Sequence, residues 1–183
     1  MFKGKQVVVT EKLDGENTTI YDDGTCHARS IDSKHHVSRS LVKALAWCLK
    51  GLMPTNWRIC GENLYAKHSI YYDQLPSYFM CFAVFDFYNK CLSWEDTVSF
   101  AIAYGLDRVP VLYEGVWDVE KIRTLSESKS SYGHELEGYV VRLKDSYDYN
   151  DYTNSTAKYV RKNHVQTDDH WMNKPVVPNG RKK

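Results

Sequence analysis

Short apolar runs, each ended by polar or turn-forming residues before it reaches helical length, govern what this sequence can fold into. Val7 to Thr10, Asn17 to Tyr21 and Thr25 to Ser30 read as strands, the last two joined at Asp23-Gly24, a pair that favours a tight turn. Together they predict an antiparallel meander at the N-terminus. Further strands are predicted around Trp57 to Cys60, Phe79 to Phe87, Glu137 to Leu143 and Lys158 to Arg161. Three segments carry helical signals instead. Ser40 to Leu52 places Leu41, Leu45, Cys48, Leu49 and Leu52 on one face, with Gly51 and Pro54 as stops. Ser93 and Asp96 have capping-box spacing for a helix ending near Gly105, and Asp118 to Leu125 forms a third. Strands interrupted by separate helices, without a regular βαβ rhythm, predict an α+β fold.

A chain of 183 residues with 43% hydrophobic content is long enough to bury a core, and the expectation is one domain spanning 1–183. No apolar stretch reaches the roughly 18 residues of a membrane span, and Met1-Phe2-Lys3-Gly4-Lys5 lacks the apolar region of a signal peptide. A soluble, cytoplasmic protein without a membrane partner is expected. The five cysteines form an odd set with no C-x-x-C pair, which argues against both a disulfide framework and a zinc site. The net charge is +1, but it is unevenly spread. Lys158 to Lys183 hold seven Lys and Arg against two Asp, leaving seventeen basic and twenty-one acidic residues before them. That basic end is either a solvated tail or part of a phosphate-contacting face.

Polar residues stand where purely structural strands would not need them. "EKLDGEN" ends the first apolar run with Lys12, Asp14 and Gly15, which suits either a polar hairpin turn or a nucleophilic lysine at the mouth of a pocket. "ARS" contains Arg29, "GENLYAKHSIYYDQLPSYF" begins with Gly61-Glu62, "VFDF" holds Phe85-Asp86, "EGYVVR" begins with Glu137-Gly138, and "KYVR" runs from Lys158 to Arg161. Taken singly, each has a structural reading: solvated strand-end carboxylates, a core phenylalanine, a turn aspartate and an exposed lysine.

As an ordered set they resemble motifs I, Ia, III, IIIa, IV and V of the covalent nucleotidyltransferases, the superfamily of ATP-dependent RNA ligases, DNA ligases and messenger-RNA capping enzymes. The match is best to the RNA ligase family. K-x-D-G alone is unspecific; six motifs in order are not. "DHWMNKPVVPNG", from Asp169 to Gly180, is similar to the ending of bacterial and phage members. Where the family's motif V carries two lysines one residue apart, this chain has Val160 between Lys158 and Arg161, so the second cation is Arg161 or Lys162.

The resemblance implies a two-sheet nucleotidyltransferase fold with flanking helices and a nucleotide groove between the sheets. It also implies attack of the Lys12 amine on the α-phosphorus of ATP, transfer of the adenylate to an RNA 5′-phosphate, and displacement of AMP by a 3′-hydroxyl. A free lysine, with a pKa of roughly 10.4, is almost wholly protonated at neutral pH, so burial and cations such as Lys158, Arg29 and a metal ion are expected to favour the neutral amine. By resemblance Glu62 receives the ribose hydroxyls, Phe85 stacks on adenine, Arg29 contacts ribose or phosphate, and Glu137 holds Mg²⁺ or Mn²⁺. Lys158, with Arg161 or Lys162, contacts the phosphates, and Asp14 and Asp86 are orienting carboxylates. Gly15 permits a tight turn beside the nucleotide.

About 20 residues follow motif V, too few for an appended OB-fold, which disfavours the DNA ligase and capping-enzyme alternatives. A minimal ligase would bind RNA ends with its catalytic face alone or through a partner protein. Asp145 to Ser155, polar and rich in tyrosine, is a loop expected at the groove edge. A GTP-using guanylyltransferase and a non-catalytic nucleic-acid binding module stay open as alternatives.

Overall fold

In the computed structural model, which describes residues 1–31, 36–133, 135–162 and 175–182, the apolar runs form strands β1 (Gln6–Lys12), β2 (Glu16–Tyr21), β3 (Cys26–Ala28), β4 (Arg58–Asn63) and β5 (Phe79–Phe85). Then come β6 (Lys90–Cys91), β7 (Asp107–Arg108), β8 (Val111–Val116), β9 (Gly138–Leu143), β10 (Tyr147–Asp148) and β11 (Thr156–Val160). The helices are α1 (Ser40–Leu49), α2 (Trp94–Ala103), α3 (Val119–Thr124) and α4 (Tyr152–Ser155). Ser93 caps α2 by accepting the Asp96 N–H, as its spacing predicts, and Asp118 caps α3 by accepting those of Glu120 and Lys121.

Two sheets result, in the orders β11-β9-β1-β8 and β10-β6-β5-β4-β2-β3, with β7 beside β5. Every pairing is antiparallel except the short one between β5 and β7. Val8, Leu64, Tyr72, Leu75, Met80 and Trp94 pack between the sheets. Ile20, Ile59 and Val84 meet α1 and α2 on the far side of the larger sheet, while Val7, Val9 and Val141 meet Ile122 of α3 on the far side of the smaller one. This explains why Val7, Val8 and Val9 run consecutively without alternating: β1 is central and covered on both faces.

The expected N-terminal meander does not form, because the chain changes sheets between β1 and β2. β1 pairs with β8 and β9, whereas β2 pairs with β3 and β4. The buried face of α1 matches the expected one only at Leu49 and, half-buried, Leu45. Val42, Ala46 and Leu49 are its core residues, and Leu41, Cys48 and Leu52 are exposed. Small residues at this alternative i, i+4, i+7 spacing let the helix sit close on the sheet, and it ends before Leu52. The stretch 145–155 is built from β10, a 3₁₀ turn and α4, anchored by the buried Tyr147, whose hydroxyl meets Thr156 Oγ1 at 3.1 Å. β8 escaped notice because its residues are only half-buried or exposed and lack clean alternation. Among the described residues no helix is long and apolar enough to cross a membrane.

Candidate active site

The sheet change at Leu13-Asp14-Gly15 puts Lys12 at the mouth of the space between the two sheets. Lys12 ends β1 opposite Gly138, and the pairs Thr10–Val140 and Val140–Lys158 extend its face across the smaller sheet. Side chains alternate along strands, so Lys12, Thr10, Val140, Lys158 and Arg142 look the same way. That direction is toward the larger sheet, since Arg142 donates to the carbonyls of Phe82 and Leu92 there. The facing row on β4 is Arg58, Cys60 and Glu62, all half-buried between fully buried neighbours.

Lys12 Nζ donates to both oxygens of Glu137, at 2.6 and 2.7 Å. The Glu137 side chain is only 4% exposed and that of Lys12 24%. The group nearest the amine is thus an anion, where the sequence led us to expect cations. Glu137 lies just ahead of β9, and Gly138 lets β11 lie close against that strand: a Cβ there would sit 2.0 Å from the Tyr159 carbonyl oxygen. Gly15 has an equivalent role, since a Cβ would meet Asn63 O at 2.7 Å and Glu62 Cγ at 2.9 Å. The turn is therefore seated directly on the end of β4, and close approach is the reason for glycine.

That seating brings Glu62 into the field of three charged groups. Its pKa is pushed up to about 8, chiefly by desolvation; Lys12 opposes the shift, Glu137 and Asp14 reinforce it, and the Gly15 N–H opposes it. Without nucleotide, Glu62 is largely protonated at neutral pH.

The other expected residues divide between groove and scaffold. Asp14 is spent on structure: its Oδ2 accepts the Ser69 and Ile70 N–H groups at 2.8 and 2.7 Å, and its own N–H meets the Tyr72 hydroxyl at 2.8 Å. Asp86 closes the β5–β6 turn by accepting the N–H groups of Tyr88 and Lys90, both at 2.9 Å. Phe85 is on the groove face opposite Arg58, yet the residue is only 4% exposed, with the Arg58 guanidinium 4.2 Å from its ring centroid and Tyr149 edge-on at 5.8 Å. Arg29 is exposed one residue past β3, toward the Asn17–Glu62 end of the sheet. Lys158 is exposed on the groove face. Arg161 turns aside to pair with Glu135 while its N–H meets the Glu137 carbonyl at 3.0 Å, and Lys162 is exposed beyond the strand. The ending resembled by Asp169 to Gly180 is described only from Pro175; Asp169 to Lys174 lie outside the described residues.

Among the described residues, no three or more His, Cys, Asp or Glu side chains form a metal cage. A hard divalent cation needs none where phosphate oxygens and water complete its shell, and Glu137 suits a single carboxylate ligand of that kind. The five cysteines are all free thiols.

A family model described as RNA ligase matches residues 5–160. The chain belongs to the RNA ligase family. No curated protein matches it significantly. Among solved structures, a ligand-free variant of Naegleria gruberi RNA ligase superposes with a TM-score of 0.63 at 17% identity, covering 90% of this chain and 52% of that one. Another variant of the same ligase, with ATP and Mn, gives 0.63 at 18% identity with the same coverage. An Aquifex aeolicus protein provisionally named an ATP-dependent DNA ligase gives 0.53 at 20% identity, covering 86% of this chain and 44% of that one. At these identities the likeness is one of fold, and this RNA ligase family member spans about half the length of each structure.

Several residues that build the site in this RNA ligase family member, Glu11, Glu16 and Asn179 among them, lie within the motif-like stretches without standing out there as site residues. Glu11, 2% exposed, accepts Ser130 Oγ at 2.5 Å and the Ser131 N–H at 2.9 Å behind β1. Glu16 and Arg39 form a buried ion pair that ties the start of α1 to β2, with Arg39 Nε 2.7 Å from Glu16 Oε2. Asn179, 2% exposed, binds the segment 64–72. Their partners lie far along the chain, so no local spacing announces them.

Proposed function

We propose that this chain is an ATP-dependent RNA ligase that joins 5′-phosphate and 3′-hydroxyl ends through a lysyl-AMP intermediate on Lys12, using the nucleotidyltransferase fold as one domain. The observation that carries this reading is the seat of Lys12: a partly accessible amine at a sheet-to-sheet crossing, 2.6 Å from a buried carboxylate, with Glu62 against the same turn. Family membership supports it, and a Naegleria gruberi RNA ligase of like fold has been seen with ATP and Mn.

In the first step the neutral Lys12 amine attacks the α-phosphorus. A P–N bond forms, the bond to the β-phosphate oxygen breaks, and pyrophosphate leaves. Paired with Glu137 as an ammonium, the nitrogen has no lone pair, so one proton must pass to Glu137 or to water before the amine can attack phosphorus. Glu137 would hold a divalent metal, whose charge would offset that on the phosphate oxygens. Lys158, on the same face, adds positive charge to the α-phosphate region, where positioning and electrostatics provide most of the rate. Glu62 accepts the ribose hydroxyls, Phe85 supplies a stacking face once Arg58 and Tyr149 give way, and Arg29 approaches from the β3 edge. The adenylate then passes to the RNA 5′-phosphate, and the 3′-hydroxyl displaces AMP. A partner protein would help hold the RNA ends.

The test is incubation with α-labelled ATP or GTP and Mg²⁺ or Mn²⁺, followed by denaturation. Label from ATP that survives on wild type and is absent from Lys12→Ala is the expected result. Retention of GTP label in its place would make the chain a guanylyltransferase, and label persisting on Lys12→Ala would remove Lys12 as the nucleophile.

A further inference from the structure

Residues 64–72 form a loop that leaves β4, wraps around Asp14 and returns, and its two ends are joined by a residue from the far end of the sequence. Asn179 Oδ1 accepts the Tyr72 N–H at 3.0 Å, while Nδ2 donates to Leu64 O at 2.8 Å and Ala66 O at 3.4 Å. Its backbone N–H meets the Tyr65 carbonyl at 2.9 Å, and its carbonyl accepts the Tyr78 hydroxyl at 2.9 Å. The neighbouring residues continue the seam: Lys67 N–H to Val177 O at 2.7 Å, Gly180 N–H to Tyr72 O at 2.7 Å, and Lys182 N–H to Leu75 O at 3.0 Å. At Gly180 a Cβ would lie 2.8 Å from the Asp73 carbonyl oxygen, so this strap lies flush against the loop.

From inside the loop, Ser69, Ile70 and Tyr72 bind the turn that presents Lys12. Ser69 and Ile70 donate to Asp14 Oδ2, and the Tyr72 hydroxyl, on a residue with no exposed surface, receives the Asp14 N–H. Asn179 holds Tyr72, Tyr72 holds Asp14, and Asp14 is two residues from Lys12. A buried Asn that satisfies three backbone groups at once cannot be removed without orphaning them.

We propose that Asn179 is a positioning residue for Lys12, through which the strap 175–182 clamps the 64–72 loop and thereby fixes the nucleophile-bearing turn. The proposal rests on the reading of Lys12 as the nucleophile only for its consequence in rate; the clamping itself is independent of it. Removing the Asn179 side chain loosens a turn whose misplacement by about 1 Å costs up to about a hundredfold in rate. Of the assigned ATP contacts only Glu62 touches this turn, while Phe85, Arg29 and Lys158 stand on or beside other strands, so the half-saturating concentration changes far less than the rate.

Three measurements on the full chain test this. Single-turnover adenylylation of Asn179→Ala, well below its melting temperature, is expected to slow by about ten- to a hundredfold at saturating ATP with a less than about threefold change in half-saturation. Ile122→Val, behind the smaller sheet, controls for lost stability and is expected to react at the wild-type rate. Tyr72→Phe is expected to resemble Asn179→Ala, with the double variant no slower than the slower single one. By NMR, amide exchange in Asn179→Ala is expected to accelerate at Asp14, Ser69 and Ile70 and to stay unchanged in β9. Unchanged exchange at those three amides overturns the proposal whether or not the protein takes label. Multiplying effects in the double variant, or a rate loss that follows only the unfolded fraction, also overturn it. A wild type that takes no label removes the reaction assignment, and exchange then decides the clamp alone.

Discussion

Replacing Glu62 by glutamine is expected to make the nucleotide-free protein more resistant to alkaline pH. In the folded chain the Glu62 pKa is raised to about 8 from an ordinary 4.5, so between those values the folded state holds a proton that the unfolded state has released. The sign follows from that difference. Stability from the protonated carboxyl is complete below the unfolded value and is lost as pH rises through about 8. At about 1.36 kcal/mol per pH unit, the whole difference comes to roughly 5 kcal/mol, an upper bound because Glu62 keeps part of its surface in water. From about pH 6 to about pH 9 the loss is about 2.7 kcal/mol by the same relation, or roughly 5–10 °C in melting temperature for a chain of this size. Glutamine is neutral throughout and nearly the same shape as the protonated acid. Melting curves for both proteins across that range, without nucleotide or metal, measure the effect. Groups common to both proteins cancel in the difference. Parallel curves would refute the reasoning, because Glu62 would then carry no desolvation cost.

Lys158→Ala is expected to block lysyl-adenylate formation far more than Lys162→Ala, since Lys158 shares the Lys12 face, with Arg161→Ala between them; single-turnover rates at saturating ATP settle the order. Phe85→Leu is expected to keep the fold while weakening ATP binding by about 1–3 kcal/mol through lost stacking, whereas equal affinity by calorimetry would leave Phe85 as core alone. Arg39→Met is expected to cost about 3–5 kcal/mol in denaturant unfolding, because the Glu16 carboxylate is left buried without its cation. Gly138→Ala is expected to lower the melting point and separate β11 from β9, since its Cβ falls on the Tyr159 carbonyl; the loss shows as faster amide exchange along β11.

Much of the candidate site was legible because the residue types proposed for it stand in short stretches. Lys12-Leu13-Asp14-Gly15, Gly61-Glu62, Glu137-Gly138 and Lys158 stand at strand ends or on strand faces, where period-two alternation assigns direction. The same local reading went astray where two assignments satisfied one pattern. For α1 the stripe Leu41, Leu45, Cys48, Leu49 and Leu52 is the stronger local signal, yet only Leu49 of it is fully buried, and Val42 and Ala46 complete the face against the sheet. Asp86 has the spacing of a site carboxylate and of a turn residue, and the backbone N–H groups of Tyr88 and Lys90 take it.

The sequence by itself determined the α+β class, the principal strands, the capped start of α2, the place of α3, and the family. Each depends on side-chain periodicity or on a motif of a few residues. Tertiary structure alone decided that β1 and β2 belong to different sheets, that Glu137 rather than a cation stands at Lys12, and that Asn179 closes the loop around Asp14. The Lys12–Glu137 contact joins positions 125 residues apart, and Asn179 reaches Tyr72 across 107. Contacts of that range are selected by the global packing of sheets and loops, which must satisfy every buried polar group at once, and no window of neighbouring residues contains that condition.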